Sequence, residues 1–397
     1  SRFSQYVTLD LKEYEDYLPR ELFSQNDFPR IRKEPYVLTI GPHGHFWFLL
    51  EQPAKKKQKR KDDRIILSDS WHDILEDRAL KKLETDILPG YLYRARWFRS
   101  KSRKIRAVKV SDVLQGNSRS DVKALVVQVF YTTGDPESYF LPLSFVLAKE
   151  DHKIQQDFPR SVICRVKVGG QDGIIYDGIY NDDMHKELLE LVLKRKKIKG
   201  AFSSIKGYPG RGLRSMVRGL SGEMASHVLK GEQSNTSVIY GGALYLKMFR
   251  KLERGINPDI EITKYLTEKY KSEIVPAFAG AIEYNDGKGE PAAMALLQGC
   301  IQNPTEFWSY TLDNVKRYFE RYLSELHNIN KGEVLGNNGG SGGEGAERSE
   351  PGLEGLIDGY YSELIGLLGE RTGQMHLELS QGKDDPNFKP EAFSMLY

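Results

Sequence analysis

A mid-strand lysine, the polar run before it and the acidic pair after it are the residues of this chain whose spacing best suits phosphate chemistry. The stretch Glu232-Gln-Ser-Asn-Thr-Ser-Val-Ile-Tyr-Gly-Gly-Ala-Leu-Tyr-Leu-Lys247 is followed by Asn257-Pro-Asp-Ile-Glu261. Gln233 to Ser237 interrupts an apolar pattern that begins at Ala225 to Leu229 and resumes at Val238, Ile239 and Tyr240. Gly241-Gly242 then supplies a tight hairpin turn that needs positive φ. In the next strand Leu244, Leu246 and Met248 share one face, and Tyr245 and Lys247 share the other, because side chains alternate with period two. An unpaired ammonium is costly to desolvate, so Lys247 calls for an acidic partner or a phosphate. The hydroxyls and amide of Ser234, Asn235, Thr236 and Ser237 can donate to phosphate oxygens. The plainer alternative is a polar β-turn beside a snorkelling surface lysine.

The elements that must position these groups are also legible. Asn257 caps a helix, Pro258 suits its first turn, and Asp259 and Glu261 suit the positive end of its dipole. Glu261 is the expected partner of Lys247, as the helix glutamate is of the strand lysine in protein kinases. The loop at 233 to 237 lacks the Gly-x-Gly-x-x-Gly pattern of those enzymes. Phe278 to Tyr284 and Pro291 to Leu297 read as a second hairpin across Asp286-Gly-Lys-Gly289, and Gln298-Gly-Cys300 as a hinge whose backbone would face adenine. The alternative there is an ordinary strand end. Thr311 to Leu326 is amphipathic, and another helix runs from Leu353 or Tyr360 to Leu379. His376 lies on that helix with no nucleophile or carboxylate constellation around it, which favours a packed or capping role.

The segments Glu232 to Gly241, Leu246-Lys-Met-Phe-Arg-Lys-Leu-Glu-Arg-Gly-Ile-Asn-Pro-Asp259 and Trp308-Ser-Tyr-Thr-Leu312 closely resemble bacterial maltokinases. Leu88-Pro-Gly-Tyr-Leu-Tyr-Arg-Ala-Arg-Trp-Phe-Arg-Ser-Lys-Ser-Arg103 is similar to the Arg-Trp-Phe-Gly-Gly-Lys signature of that family's N-terminal cap, with Arg99 and Ser100 where the family usually has small or glycine residues. At the other end, Pro35-Tyr-Val-Leu-Thr-Ile-Gly-Pro-His-Gly44 and the Phe46-Trp-Phe ending resemble the C-terminal β-domain of trehalose synthase. The resemblance therefore implies a fusion of trehalose synthase with maltokinase. It implies an α+β chain: the end of an amylase-type β-domain (1–52), a basic linker (53–64), a cap (65–160), a kinase-like amino lobe (161–300) and the start of a helical carboxyl lobe (301–397, flexible at 332–352).

What that resemblance implies for chemistry is transfer of the ATP γ-phosphate to maltose, giving maltose 1-phosphate. Lys247 would steady the α- and β-phosphates, Glu261 would orient it, residues 234 to 237 would cover the phosphates, and Gln298 and Cys300 would flank adenine. The family's His-Gly-Asp loop and metal-binding aspartate do not occur after the hinge. No catalytic residue or Mg²⁺ ligand is therefore expected within the chain, which reads as an inactive fragment with its Mg²⁺ ligands expected beyond residue 397. Two other readings stand beside it: the maltose–trehalose isomerase activity of the N-terminal relative, and a non-catalytic interaction module.

Composition bounds the rest. The 397 residues carry a formal charge of +3, which gives no global electrostatic case for nucleic acid. The basic run Pro53 to Asp63 has no interleaved aromatics, so a solvated linker is expected rather than an RNA or lipid site. Only Cys164 and Cys300 are present, which excludes a disulfide framework and favours a reducing cytoplasm. No apolar stretch approaches the eighteen or so residues of a membrane span. The expected partners are ATP, maltose in the complete protein, and a trehalose synthase domain in cis.

Overall fold

The computed structural model describes residues 5–22, 28–41, 44–51, 65–116, 122–218, 224–229, 235–301, 306–335, 357–382 and 385–391. Ser234, the whole basic linker at 53–64 and the glycine-rich tract at 336–345 lie outside the described residues. The chain divides into two compact units, Ser1–Asp63 and Arg64–Tyr397.

The first unit is all β. Strand β1 (Gln5–Leu9) and strand β3 (Tyr36–Ile40) pair antiparallel, as do β2 (Leu18–Glu21) and β4 (Phe48–Glu51). Ile31, Tyr36 and Leu38 form its small core. The sequence reading missed β2, because Pro19 argues against a strand except at an edge, and β2 has only β4 as a neighbour.

The second unit is α+β, built on two sheets. The six-stranded cap sheet contains β5 (Ile65–Leu67), β6 (Ile105–Leu114), β7 (Val122–Tyr131), β8 (Glu137–Leu147), β9 (Val162–Val168) and β10 (Gln171–Asp177), in the order β5-β9-β10-β8-β7-β6. Strand β7 is a nearly unbroken apolar run because both of its faces are covered. Leu125, Val127 and Val129 meet the helical stretch that includes α1 (Asp77–Lys82) and α2 (Leu88–Arg94). Val122, Ala124 and Val126 belong instead to the core shared with the second sheet.

A short helix α3 (His152–Asp157) leads into β9, and α4 (Asp182–Leu193) links the sheets. The side chain of Asn181 caps α4, and Met184, His185, Leu188, Leu189, Leu191 and Val192 are its buried residues. The second sheet holds β11 (Lys197–Lys199), β12 (Ser204–Pro209), β13 (Ser226–Val228), β14 (Thr236–Tyr240), β15 (Leu244–Met248), β16 (Phe278–Asn285) and β17 (Ala292–Gly299), ordered β11-β12-β16-β17-β15-β14-β13. Helix α5 (Leu213–Met216) is a single turn, and α6 (Pro258–Lys264) crosses between β15 and β16. Two longer helices follow, α7 (Phe307–Leu335) and α8 (Gly359–Ser380). Helix α7 continues through 332–335, where a flexible tract was expected. His376 is exposed on α8, not packed. Among the described residues no helix is long and apolar enough to cross a membrane.

Candidate functional site

The β14–β15 hairpin forms as its residues dictate. Gly241 and Gly242 take φ of 55° and 68°, and Ala243 N–H donates to Tyr240 O at 3.0 Å, a turn that splays left-handed backbone no β-branched residue would accept. Leu244, Leu246 and Met248 are fully buried in the core shared with the cap. Lys247 faces the opposite side, with its ammonium 5.8 Å from the centroid of Phe249. Ser237 stands directly across from it in register.

The partner of Lys247 is Asp259, not Glu261. Nζ donates to Asp259 Oδ2 at 2.7 Å, and the two side chains are 28% and 49% exposed. Helical residues two positions apart, such as Asp259 and Glu261, lie about 200° apart around the axis, so both carboxylates cannot face the strand. Asn257 caps the helix as expected, accepting from the N–H groups of Asp259 and Ile260. Ile260 packs on Phe249, Phe278, Ala281, Ala293 and Leu296, which fixes the roll of the helix and turns Asp259 toward β15. Glu261 points away and accepts instead from Asn387 Nδ2 at 2.8 Å. The chain around Asn387 docks on the same helix, with Phe388 stacked on Tyr265 at 3.6 Å and 6°.

The residues expected to cover phosphates separate. Thr236 is turned to the cap side, where its Oγ1 accepts from Arg250 Nε at 3.0 Å. Ser237 is fully buried and shares a 2.7 Å hydrogen bond with the Tyr245 hydroxyl. Asn235 is half-buried on the wall of a cavity of about 260 Å³ that also touches Arg99, Lys251 and Asp259. At the expected hinge, Gln298 pairs with Tyr245 and Gly299 with Leu244 as the end of β17. The Gly299 N–H donates to Ala277 O at 2.9 Å and the Cys300 N–H to Ala243 O at 2.8 Å. The N–H groups of Gly299 and Cys300 are thus both taken by backbone carbonyls.

Sequence reasoning missed the groups that hold this lobe to the cap. Arg250 continues the Leu244–Leu246–Met248 register into the core, and a charge at such a position requires a buried partner. Its guanidinium donates to Asp177 at 3.2 and 2.8 Å and lies 5.1 Å from the Trp97 ring centroid. Tyr91 OH donates to Asp177 Oδ2 at 3.1 Å, and burial raises its own pKa well above the usual phenol value. One residue on, Lys251 reaches Glu137 at 3.2 Å. Glu137 also accepts from Ser100 and Tyr139, both at 2.7 Å, and from Tyr131. Burial opposes its ionisation, but the hydrogen bonds from Tyr131, Ser100, Tyr139 and Lys251 prevail and hold its pKa at about 2. Phe140 N–H donates to Arg250 O and Leu252 N–H to Ser138 O, each at 2.8 Å, so the chain leaving β15 makes an antiparallel bridge to β8 of the cap sheet.

Cys164 is buried, which pushes its thiol up to about 12 and removes it as a nucleophile. Among the described residues no group of three or more His, Cys, Asp or Glu side chains is placed to hold a metal ion.

Residues 1–47 match the C-terminal domain of maltogenic amylases, and residues 91–181 match the maltokinase N-terminal cap domain. Trehalose synthase of Pimelobacter sp. is 47% identical over 53 residues, and a trehalose synthase/amylase of Mycobacterium tuberculosis is 48% identical over 50. Each alignment covers 13% of this chain, which spans only 9% and 8% of those proteins. A solved glucosamine kinase in complex with glucosamine, ADP and inorganic phosphate aligns at 14% identity over 55% of this chain and 43% of its own, with a TM-score of 0.32. That degree of likeness carries no conclusion about site or ligand. The matched segments, an amylase-type domain end followed by a maltokinase cap, fit a trehalose synthase–maltokinase fusion.

Proposed function

We propose that residues 161–300 are the nucleotide-binding lobe of a maltokinase, which in the intact fusion transfers the ATP γ-phosphate to the anomeric hydroxyl of maltose. The observation that carries this reading is the Lys247–Asp259 pair, on the sheet face opposite the core shared with the cap, in a chain whose residues 91–181 match a maltokinase cap. In this role Lys247 steadies the α- and β-phosphates, and Asp259 orients it in place of the expected Glu261. Asn235 is the described residue of the polar run best placed to meet a phosphate, since Thr236 and Ser237 are engaged inside the protein. Bound Mg²⁺ would offset the charge of the phosphates, but among the described residues no group of three or more His, Cys, Asp or Glu side chains is placed to hold it. Maltose as acceptor, a cytoplasmic location and a trehalose synthase domain in cis belong to the same proposal.

Isothermal titration of this chain with ATP and Mg²⁺ should give weak binding or none. A protein extended through the His-Gly-Asp loop should phosphorylate maltose. In that protein Lys247→Met should lower turnover at least about a hundredfold, the scale of removing one preorganised charge-stabilising group. The pair is partly exposed and stabilises the fold by only about 0–1 kcal/mol, so the variant should still fold. Unchanged turnover would remove Lys247 from the site.

A further inference from the structure

A second cavity, of about 360 Å³, lies between the cap and the edge of β14, apart from the face that carries Lys247. Arg96 and Arg160 both line it, and among the described residues neither has a carboxylate within ion-pairing distance. Asp177 on the same wall is already matched by Arg250, which leaves Asp157 as the remaining carboxylate. Lys101 adds a third cation to this corner. Its pKa is lowered first by burial and then by the charges of Arg160 and Arg96.

The rest of the wall is aromatic and polar. The rings of Phe158 and Tyr180 pack at 4.4 Å, and Trp97 closes the cap side. Asn235, just before β14, offers an amide, and Thr236, whose hydroxyl already accepts from Arg250, lines the wall beside it. Paired arginines recognise a phosphate through charge-assisted, bidentate hydrogen bonds. Aromatic faces with a few convergent polar groups suit the body of a compact ring.

We propose that this cavity is a binding site for a small phosphorylated sugar, with Arg96 and Arg160 on the phosphate and the Phe158–Tyr180 rings against the sugar. Because Thr236 also holds Arg250, a ligand there contacts both the cap and the strand that follows the polar run. The cavity shares Asn235 and Trp97 with the one beside Asp259, but neither arginine lines that one, and the proposal does not depend on Lys247.

Isothermal titration of the whole chain with α-D-glucose 1-phosphate, inorganic phosphate and maltose tests it. Glucose 1-phosphate should bind, inorganic phosphate at least about tenfold more weakly, and maltose not at all; a tenfold ratio corresponds to about 1.4 kcal/mol. Arg96→Gln with Arg160→Gln should weaken glucose 1-phosphate at least about tenfold. Both arginines are exposed, and near-UV circular dichroism checks that the fold is kept. Lys247→Met should leave the affinity unchanged. Native-like binding by the double glutamine variant, loss of binding in Lys247→Met, or no heat with any phosphate overturns the site. Equal affinity for inorganic phosphate overturns its sugar half.

Discussion

Arg250 and Asp177 form a doubly hydrogen-bonded ion pair with 1% of each side chain exposed, and it joins the strand that carries Lys247 to the last strand of the cap sheet. Such a pair has little net value against an apolar replacement, yet breaking it leaves an uncompensated buried charge. Asp177→Ala should therefore destabilise the second unit by about 3–5 kcal/mol in urea unfolding. Adding Arg250→Met should restore a large part of that loss. Additive effects of the two substitutions would show that the charges are not coupled.

Glu137 makes stability depend on acid. Its pKa falls from 4.5 to about 2 on folding, so the folded state binds fewer protons than the unfolded state between those values. The contribution is fully present above about pH 4.5 and is lost as the pH falls toward 2. Urea midpoints measured from pH 6 to pH 2.5 should decline more steeply for the native chain than for Glu137→Gln. Parallel slopes would mean that the cluster around Glu137 leaves its ionisation unperturbed.

Gly207 marks a close approach of α4 to the second sheet. A Cβ there would lie 2.1 Å from Leu191 O and 2.6 Å from Val192 N, so helix backbone would have to move. Gly207→Ala should destabilise by about 1–3 kcal/mol, as overpacked sites do. Gly366→Ala, in α8 with nothing within 4 Å of the added carbon, should stabilise its helix by about 0.5–1 kcal/mol. Opposite signs in thermal unfolding are the expected result, and equal shifts would deny the close contact.

What was legible in the sequence is local. Period two placed Leu244, Leu246 and Met248 in the core and Lys247 outside it, and the Gly241–Gly242 pair announced the turn. Asn257 announced the start of α6. The choice between Asp259 and Glu261 was hidden because it depends on the roll of a seven-residue helix, which distant side chains such as Phe278 and Leu296 decide. The inward turn of Thr236 was hidden for a similar reason, since its partner Arg250 is buried only when the cap is in place. The same alternation that placed Lys247 also carries Arg250 into the core. That was the unread signal for the cap junction.

The two acidic residues of α6 separate the roles that the sequence reading merged. Asp259 meets Lys247 at 2.7 Å, whereas Glu261 meets Asn387 at 2.8 Å, so each can be removed without touching the other's partner. In a maltose-phosphorylating protein extended through the catalytic loop, Asp259→Asn should lower turnover about tenfold or more, because the ammonium then lacks the charge that aims it. Glu261→Gln keeps an acceptor for Asn387 and should change turnover by less than about threefold, an effect below roughly 1 kcal/mol. Steady-state assays at saturating ATP compare the two directly. A larger loss in Glu261→Gln than in Asp259→Asn would mean that the working arrangement re-rolls α6 and returns Lys247 to the glutamate.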